Sequence, residues 1–517
     1  MKAHLLFSDR DADFACKLAA DDNEIIKDLG LATLIAVMAQ DDAFLADIAA
    51  KALLGSLTDV GSILYRQAVL RDCMQNPAII RDIYQLAVDA IESERQNSSL
   101  FFERSPSSVV RRSMRVLRGF EPLLRHLRFI ADAHANAFRS AAFCALFSTL
   151  RRELDDSFFA QMVDHLHRLE FRDGVLMSAR LGQGAKGEDI VLRTPWPDER
   201  WWFERLLGPK SETYVYQLHP RDENGYRALT KLDDQAMNSI ANPLRQATDH
   251  ILHFFQMLRA ELAFYVGCLN ARDALNGNGA SICIPTPTSG DEPTLVFRRL
   301  VDAGLALANS GGAVGNDLDG KGKILFIVTG ANQGGKTTFS RSVGQAQLMM
   351  QAGMFVAADS FTADVRDRLF THYKREEEAD LKSGKLDEEL GRMSAIADAL
   401  TTRSMVVFNE SFAATNEREG SELNIQIVRA LIESGVKVVL VTHLYDFAKR
   451  LHDADLADAL FLRAERREDG SRTFRILEGA PLQTSFGADL YREIFSENAS
   501  DETLGGGAVE DHVGART

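Results

Sequence analysis

The feature that most constrains this chain is a glycine-rich loop, Gly330-Ala-Asn-Gln-Gly-Gly-Lys-Thr337. The loop fits the Walker A pattern, and it lies between an apolar β-type run at 324–328 and a helical pattern at 338–350. In that context the backbone N–H groups of the loop cradle phosphate oxygens at the positive end of a helix dipole. The lysine of such a loop reaches the β- and γ-phosphates, and its Ser or Thr hydroxyl holds Mg²⁺. The loop therefore predicts a nucleoside-triphosphate site, with Thr337 as a metal ligand and with nucleotide contacts from Gly330, Ala331, Asn332, Gln333, Gly334, Gly335, Lys336, Thr337 and Thr338.

Two further apolar runs follow the loop and end in polar residues. The run at 405–408 ends in Asn409-Glu410, and the run at 436–441 ends in Thr442-His443. Strands that alternate with helices predict an α/β layered P-loop domain that binds its ligand at the carboxyl ends of the strands. Hydrolysis of a γ-phosphate needs an oriented water and a group that contacts that phosphate. We expect Glu410 to act as general base and His443 to bond the γ-phosphate or the water; an exposed turn Glu and a packed His are the alternatives.

Asn409 is unusual at its position. Aspartate normally stands here and holds Mg²⁺, usually through coordinated water. Asparagine keeps an acceptor oxygen but carries no charge, so the attraction for Mg²⁺ is weaker. Asn409 is therefore a predicted metal ligand that makes hydrolysis slow or tightly gated.

Residues 1 to about 170 are predicted to form successive helices, because apolar residues recur at steps of three and four. For example, apolar residues at 79–91 form a stripe along one helix face, and we expect this stripe to pack in a core. Arginines cluster farther along, and they could contact a phosphate backbone. A solvated face that pairs with acidic residues elsewhere is the favoured interpretation. The cluster consists of Arg104, Arg111, Arg112, Arg115, Arg118, Arg125 and Arg128.

Between about 173 and 231 the pattern changes to short strands, at 175–178, 190–193 and 213–217, separated by turns. Aromatic residues gather there and could stack on bases, although a small hydrophobic core is the favoured interpretation. They are Trp196, Trp201, Trp202, Phe203, Tyr214 and Tyr216, with Arg193, Arg200 and Arg205 among them. A helical pattern then runs from Asp233 to about Leu275 and predicts a strut-like helix or two helices in line.

Composition limits the class of protein. The chain has 517 residues, of which 45% are hydrophobic and 26% charged, with a formal charge of −15. This length predicts two or three domains, and the charge argues against coating nucleic acid by bulk attraction. Five scattered cysteines indicate neither a zinc site nor a disulfide framework. Residues 1–11 lack the layout of a signal peptide, and the apolar run at 29–39 is too short to span a bilayer, so we expect a cytoplasmic protein.

The motifs resemble those of one family. Thr329–Arg341 resembles the Walker A region of MutS-type DNA mismatch-repair ATPases, including Asn332 and the double glycine. Asn409–Gly420 resembles their Walker B segment, in which Glu410, Thr415 and Gly420 are identical and Glu419 is a conservative match.

Three shorter elements extend the resemblance. Thr442-His443 resembles the switch-histidine motif of the family. Val314–Asp317 resembles an Asn-Asp element near the nucleotide, which implies that Asn316 contacts it. Thr484–Gly487 resembles the closing segment of the ATPase domain.

The resemblance implies a division of the chain. It is strong from about 295 to 490, and the helices around Arg66-Gln67 resemble the start of the family's core domain. We expect a mainly helical core and lever over 1–285, which has a β-containing clamp-like insert at about 173–231. A P-loop ATPase domain with an ABC-like layered sheet follows over 286–497, and a disordered tail over 498–517.

The chain also departs from the family pattern. We expect it to lack the amino-terminal mismatch-recognition and connector domains, the carboxyl-terminal dimerisation helices and a trailing nuclease module. The family's trans-acting segment is altered at Ser383–Glu388, and Asn409 replaces the Mg²⁺ aspartate. Direct recognition of a mispair by wedging is therefore not expected.

The resemblance implies an ATP-dependent DNA-binding protein that uses ATP, Mg²⁺ and slow hydrolysis to gate a dimeric clamp. Its expected partners are double-stranded DNA, read by structure rather than sequence, and a second copy joined through the ATPase domains, with no membrane. The alternative is an ATP-gated protein scaffold that makes no contact with DNA. A small-molecule kinase is a weaker third interpretation, because no acceptor-binding lid is recognisable.

Overall fold

The computed structural model describes residues 1–14, 20–98, 105–171, 174–185, 187–193, 217–289, 292–309, 312–331, 333–375, 384–413, 415–467 and 471–482. The chain forms two compact units that interleave in sequence. The first, here the helical unit, comprises Met1–Lys17, Asp42–Ala49 and Tyr65–Asn270. The second, here the sheet unit, comprises Leu18–Asp41, Ala50–Leu64 and Ala271–Thr517. The predicted division into 1–285, 286–497 and a tail stays a prediction, and the tail lies outside the described residues.

The helical unit is built from amphipathic helices, as the apolar periodicity predicts. Helices begin at side-chain caps that satisfy free backbone N–H groups, for example Ser140 and Asp155. The division between the units falls within three helices, Ala43–Leu54, Val60–Gln75 and Glu223–Gly277. The helices are α3 (Ala43–Leu54), α4 (Val60–Gln75), α5 (Pro77–Ser98), α6 (Pro106–His134), α7 (Ala141–Glu153), α8 (Asp156–Arg168) and α9 (Glu223–Gly277).

Helix α9 confirms the predicted strut. It has 55 residues and begins ten residues before the predicted start, and it continues through Pro243. Just before it in the chain, strands β1 (Met177–Leu181) and β2 (Gly187–Leu192) form an antiparallel pair. These two strands were predicted. The third predicted strand, at 213–217, lies outside the described residues except for Gln217. The aromatic residues from Trp196 to Tyr216 lie outside them as well.

Four arginines of α6 are paired with acidic residues. Arg112 lies 2.7 Å from Glu94, and Arg118 pairs with Glu170. Arg125 pairs with Glu121, and Arg128 pairs with Asp132 and donates to two backbone carbonyls. This agrees with the favoured interpretation of a solvated, ion-paired face; Arg104 lies outside the described residues.

In the sheet unit, six strands of the described chain form one sheet in the order β12-β11-β6-β10-β9-β8. All neighbouring pairs are parallel except β11 and β12. The predicted runs at 324–328, 405–408 and 436–441 are strands of this sheet. The strands are β6 (Leu325–Thr329), β8 (Leu369–Tyr373), β9 (Met405–Asn409), β10 (Lys437–Val441), β11 (Ala459–Arg466) and β12 (Arg472–Glu478).

A second sheet contains four described strands in the order β3-β7-β4-β5. These strands are β3 (Thr286–Thr288), β4 (Leu295–Leu300), β5 (Asn316–Asp319) and β7 (Ser360–Asp364). The helices of the sheet unit are α1 (Ala20–Asp28), α2 (Leu31–Ala39), α10 (Ala303–Ala308), α11 (Lys336–Gln351), α12 (Lys385–Ala399), α13 (Glu417–Glu433) and α14 (Tyr445–Asp453).

The large sheet is held by apolar burial. Successive side chains of a strand point to opposite faces. Leu325 and Ile327 of β6 face a core formed with α12, α13 and α14, whereas the alternate residues Phe326 and Val328 are also buried. Continuous Val, Ile and Leu runs of this kind are typical of parallel strands covered on both faces.

One buried ionic cluster lies at the start of β10. The Lys437 ammonium pairs with the Asp364 carboxylate, which also pairs with Arg366, and all three side chains are buried. Burial lowers the pKa of Lys437 to about 8, and the Asp364 carboxylate only partly offsets this. A charge in such a place must be paired, because desolvation of an isolated ion is costly.

Among the described residues, none of the helices is both long and apolar enough to cross a bilayer. In the same residues, Cys73, Cys144, Cys268 and Cys283 are free thiols.

Candidate nucleotide-binding site

The predicted strand, loop and helix are present in consecutive order. β6 is fully buried in the middle of the six-stranded sheet, and α11 begins at Lys336. Gly330 and Gly335 have φ angles of 118° and 90°, a region that other residues rarely adopt. A side chain at Gly330 would also meet the Ala464 backbone N at 3.0 Å. The loop therefore needs its glycines to pass between β6 and α11.

Lys336 lies under the loop. Its Nζ donates to the carbonyl oxygens of Gly330 and Ala331 at 2.8 and 2.7 Å, and the side chain is only 5% exposed. Burial lowers the pKa of Lys336 to about 8, and the Glu410 carboxylate only partly offsets this. A bound phosphate group would compensate the charge of this ammonium more fully than neutral carbonyls can.

Thr337 and Asn409 are brought together from β9 and the start of α11. The Thr337 hydroxyl donates to the Asn409 side-chain oxygen at 3.1 Å. A hydroxyl and an amide oxygen side by side are hard oxygen donors, which suit Mg²⁺. The two predicted metal ligands thus form a pair that fits the ion, although neither of them carries charge.

Glu410 and His443 also meet. Strands β9 and β10 are adjacent and parallel, so the residues that follow them lie at the same sheet edge. The His443 Nε2 donates to the Glu410 Oε1 at 2.6 Å. This hydrogen bond lowers the pKa of Glu410 against the effect of burial. The carboxylate is therefore ionised at neutral pH and can accept a proton.

The other predicted nucleotide contacts differ in burial and in their hydrogen bonds. Asn316 is 8% exposed, and its side-chain oxygen accepts from the Ile476 backbone N at 2.7 Å, so it supports β12. Thr338 lies in the first turn of α11 and is partly buried. Gln333 is exposed, with a φ of 57°, and Asn332 lies outside the described residues. Their roles as nucleotide contacts stay predictions.

Two residues of β12 beside the loop were missed from the sequence. Arg472 donates to the Gln333 side-chain oxygen at 2.6 Å. Phe474 is 47% exposed with a φ of 58°, and its backbone oxygen lies 3.2 Å from the position that a Gly335 Cβ would take. An exposed aromatic ring beside a phosphate loop is suited to stack on a base. No local motif marks either residue, because only the pairing of β12 with β11 places them here.

Two family models match the chain. The model of the MutS2 N-terminal domain matches residues 58–278, and the model of MutS domain V matches residues 326–496. The second match contains the whole Gly330–Thr337 loop, together with Asn409, Glu410 and His443.

Individual relatives agree with these matches. An Endonuclease MutS2 of Thermus thermophilus is 35% identical over 346 residues, which cover 66% of this chain and 40% of the relative. An Endonuclease MutS2 of Lacticaseibacillus paracasei is 28% identical over 48% of this chain and 33% of the relative. A DNA mismatch repair protein MutS of Thermotoga maritima is 29% identical over 32% of this chain and 21% of the relative. The matched region of this chain thus corresponds to two fifths or less of the length of these relatives.

Proposed function

Because this chain belongs to the MutS-type family, we propose that it is an ATPase that binds ATP with Mg²⁺ at the Gly330–Thr337 loop. The hydrogen bond of 2.6 Å between Glu410 and His443 supports this proposal most, because a carboxylate that an imidazole orients is suited to take a proton from water. Lys336 binds the β- and γ-phosphates, whose negative charge compensates the positive charge of its ammonium group. Glu410 accepts the proton of the attacking water, while His443 keeps the carboxylate in position and contacts the γ-phosphate.

The Thr337 hydroxyl and the Asn409 amide oxygen would hold Mg²⁺. The bound ion offsets charge on the phosphate oxygens. Because Asn409 is neutral, the chain attracts the ion less than an aspartate would, and we propose that turnover is slow. We further propose an ABC-like arrangement in which the ATPase domains of two copies close around nucleotide.

We propose that this closure gates a clamp on double-stranded DNA in a cytoplasmic protein, as in mismatch repair or a related DNA transaction. ATP can drive such closure only if it binds the closed pair more tightly than the open one. Contacts to DNA phosphates would make the affinity fall steeply with salt.

The alternative, an ATP-gated protein scaffold, has one observation in its favour. Four arginines of α6 that could contact a phosphate backbone are paired with acidic side chains instead. Together with the formal charge of −15, this pairing leaves less free positive charge for DNA. Binding of a protein partner that depends on ATP and not on DNA would support this alternative.

One experiment tests both parts of the proposal. Phosphate release, ATP affinity and oligomer mass are measured on the wild type and on Lys336→Ala, with and without DNA. Binding to plain, mismatched and branched duplexes is followed by gel shift, with and without ATP. We expect slow, Mg²⁺-dependent release that Lys336→Ala abolishes, and ATP-dependent pairing. A wild type that neither binds nor hydrolyses ATP would overturn the ATPase function. Failure to bind any duplex at low salt would overturn the DNA clamp.

A further inference from the structure

The turn that carries Glu410 has an unfavourable backbone. Glu410 and Phe412 have φ angles of 54° and 58°, so two residues with side chains adopt the left-handed conformation on either side of Ser411. Such conformations cost energy and persist only where the surrounding contacts hold them. The contacts of this turn therefore decide where the Glu410 carboxylate points.

The main contact is a buried histidine on the neighbouring strand. His372 of β8 is fully buried, with its Nδ1 lying 2.7 Å from the Ser411 Oγ. Its Nε2 lies 3.0 Å from the backbone oxygen of Glu389 in α12. The imidazole also stacks on the Phe412 ring, with centroids 5.1 Å apart and planes at 21°. One side chain thus joins the turn to β8 and to α12.

The direction of these hydrogen bonds follows from their partners. A backbone carbonyl only accepts, so the Nε2 of His372 must donate to Glu389. Burial lowers the pKa of His372 to about 4, so at neutral pH its Nδ1 is an acceptor for the Ser411 hydroxyl. That hydroxyl also lies 2.5 Å from the His372 backbone oxygen. Both acceptors of the Ser411 proton therefore belong to the same residue.

Other groups complete the support of the turn. The Glu389 carboxylate accepts from the Phe412 backbone N–H, and the Asn424 side chain donates to the Ser411 carbonyl at 3.3 Å. On the opposite face of β8, the Tyr373 hydroxyl lies 3.3 Å from the Ser340 Oγ in α11, the helix that follows the loop. Strand β8 therefore contacts both halves of the candidate site.

We propose that His372 is a positioning residue for ATP hydrolysis, which by joining Ser411 to Glu389 holds the Glu410 turn in its left-handed conformation and keeps the carboxylate against His443. The inference rests on the ATPase function proposed above. In this role His372 acts through the Glu410 turn and not by binding the nucleotide. Its contribution should therefore lie in the chemical step and not in nucleotide affinity.

The test uses three variants of the full chain and one matched control. His372→Phe keeps a ring that can stack on Phe412 but removes both hydrogen bonds. His372→Asn places an amide near the former Nδ1 and can still bond Ser411, while Ser411→Ala removes only the hydroxyl. The control, His452→Phe, changes a histidine of α14 whose ring packs edge-on against Phe461. For each, kcat, KM, the affinity for a fluorescent ATP analogue and the melting temperature are measured.

We expect His372→Phe and Ser411→Ala to lower kcat by roughly 10- to 100-fold, with KM and analogue affinity within about twofold of wild type. His372→Asn should recover much of that loss, and His452→Phe should match wild type. If His372→Phe does not fold, the kcat of Ser411→Ala is sufficient to test the inference.

Two results would overturn the inference. One is an unchanged kcat in both His372→Phe and Ser411→Ala; the other is a parallel loss of affinity, kcat and melting temperature, which marks a purely structural role. Failure of the proposed function would look different. The wild type itself would then show no phosphate release that depends on Lys336, and both proposals would be wrong.

Discussion

The Glu410 Oε1 and the His443 Nε2 lie 2.6 Å apart, although 33 positions separate the two residues in the chain. The hydrogen bond lowers the pKa of the Glu410 carboxyl against the effect of burial. The predicted base Glu410 and its proposed orienting partner His443 are therefore in direct contact. This pair gives the candidate site its most direct link to hydrolysis.

Glu410→Gln should separate binding from hydrolysis. The amide keeps the size of the side chain but cannot take a proton, so we expect turnover to fall by at least about 100-fold. Affinity for ATP should stay within roughly threefold, because the loop and Lys336 are intact. Glu417→Gln, in the exposed first turn of α13, is the control for loss of one carboxylate. Phosphate release equal to that of wild type would contradict the role of Glu410 as base.

Asn409→Asp should strengthen metal binding. A carboxylate beside the Thr337 hydroxyl attracts Mg²⁺ more than an amide does, so we expect the Mg²⁺ concentration for half-maximal turnover to fall by about tenfold. Turnover at limiting Mg²⁺ should rise. Asn416→Asp is the matched control, because it adds the same charge at a helix cap that aspartate also fills well. Equal responses of the two variants would show that local charge at Asn409 is unimportant.

Nucleotide affinity should depend on pH through Lys336. Its pKa of about 8 lies below the ordinary lysine value of 10.5, so above pH 8 the free protein loses the proton that phosphate binding requires. We expect affinity to fall by up to about tenfold per pH unit above 8 and to be constant below it. Calorimetry in two buffers should detect proton uptake near pH 8. Lys336→Arg should remove the dependence; a wild-type affinity that is flat from pH 7 to 9.5 would contradict it.

Lys437→Met should destabilise the protein without changing any residue of the candidate nucleotide-binding site. Among the described residues, it leaves the buried Asp364 carboxylate with Arg366 as its remaining ion-pair partner, and breaking a buried pair costs about 3 kcal/mol or more. Urea denaturation followed by circular dichroism measures the change in the free energy of unfolding. The control, Arg450→Met, breaks an exposed pair with Glu422 and should cost less than about 1 kcal/mol. Similar losses in the two variants would rule out a special role for burial.

Phe474→Ala should weaken nucleotide binding. If the exposed ring beside Gly335 stacks on the base, its removal should cost about 1–2 kcal/mol, or roughly tenfold in Kd. Leu477→Ala removes another exposed apolar side chain of the same strand and should change Kd by less than about twofold. Titration with a fluorescent ATP analogue measures both variants. Equal effects would mean that the ring makes no specific contact.

The local elements of the site could be predicted because each depends on short-range patterns. Apolar runs of β-branched residues predict β6, β9 and β10 within a residue or two of their observed bounds. The glycine spacing predicts the loop, because few other residues adopt the φ angles found there. The unusual Asn409 could also be identified from the sequence, because it directly follows the apolar run at 405–408.

Other features could not be read from the sequence because they depend on distant segments. The hydrogen bond that the Asn316 side-chain oxygen accepts from the Ile476 backbone N–H, 160 positions away, is one such feature; the nucleotide contact of Asn316 stays a prediction. His372 sits in an ordinary strand pattern, and only the pairing of β8 with β9 places it under the Glu410 turn. Arg472 and Phe474 reach the loop through β12, whose pattern carries no motif.

By itself, the sequence determined the phosphate loop, the order of strands and helices around it and the polar residues at the strand ends, because periodicity and backbone sterics act locally. Only the tertiary structure decided which side chains meet: Thr337 with Asn409, Glu410 with His443, and His372 with Ser411. Those contacts depend on strand order and register, which apolar burial and hydrogen bonding fix over the whole sheet. No window of the sequence contains that information.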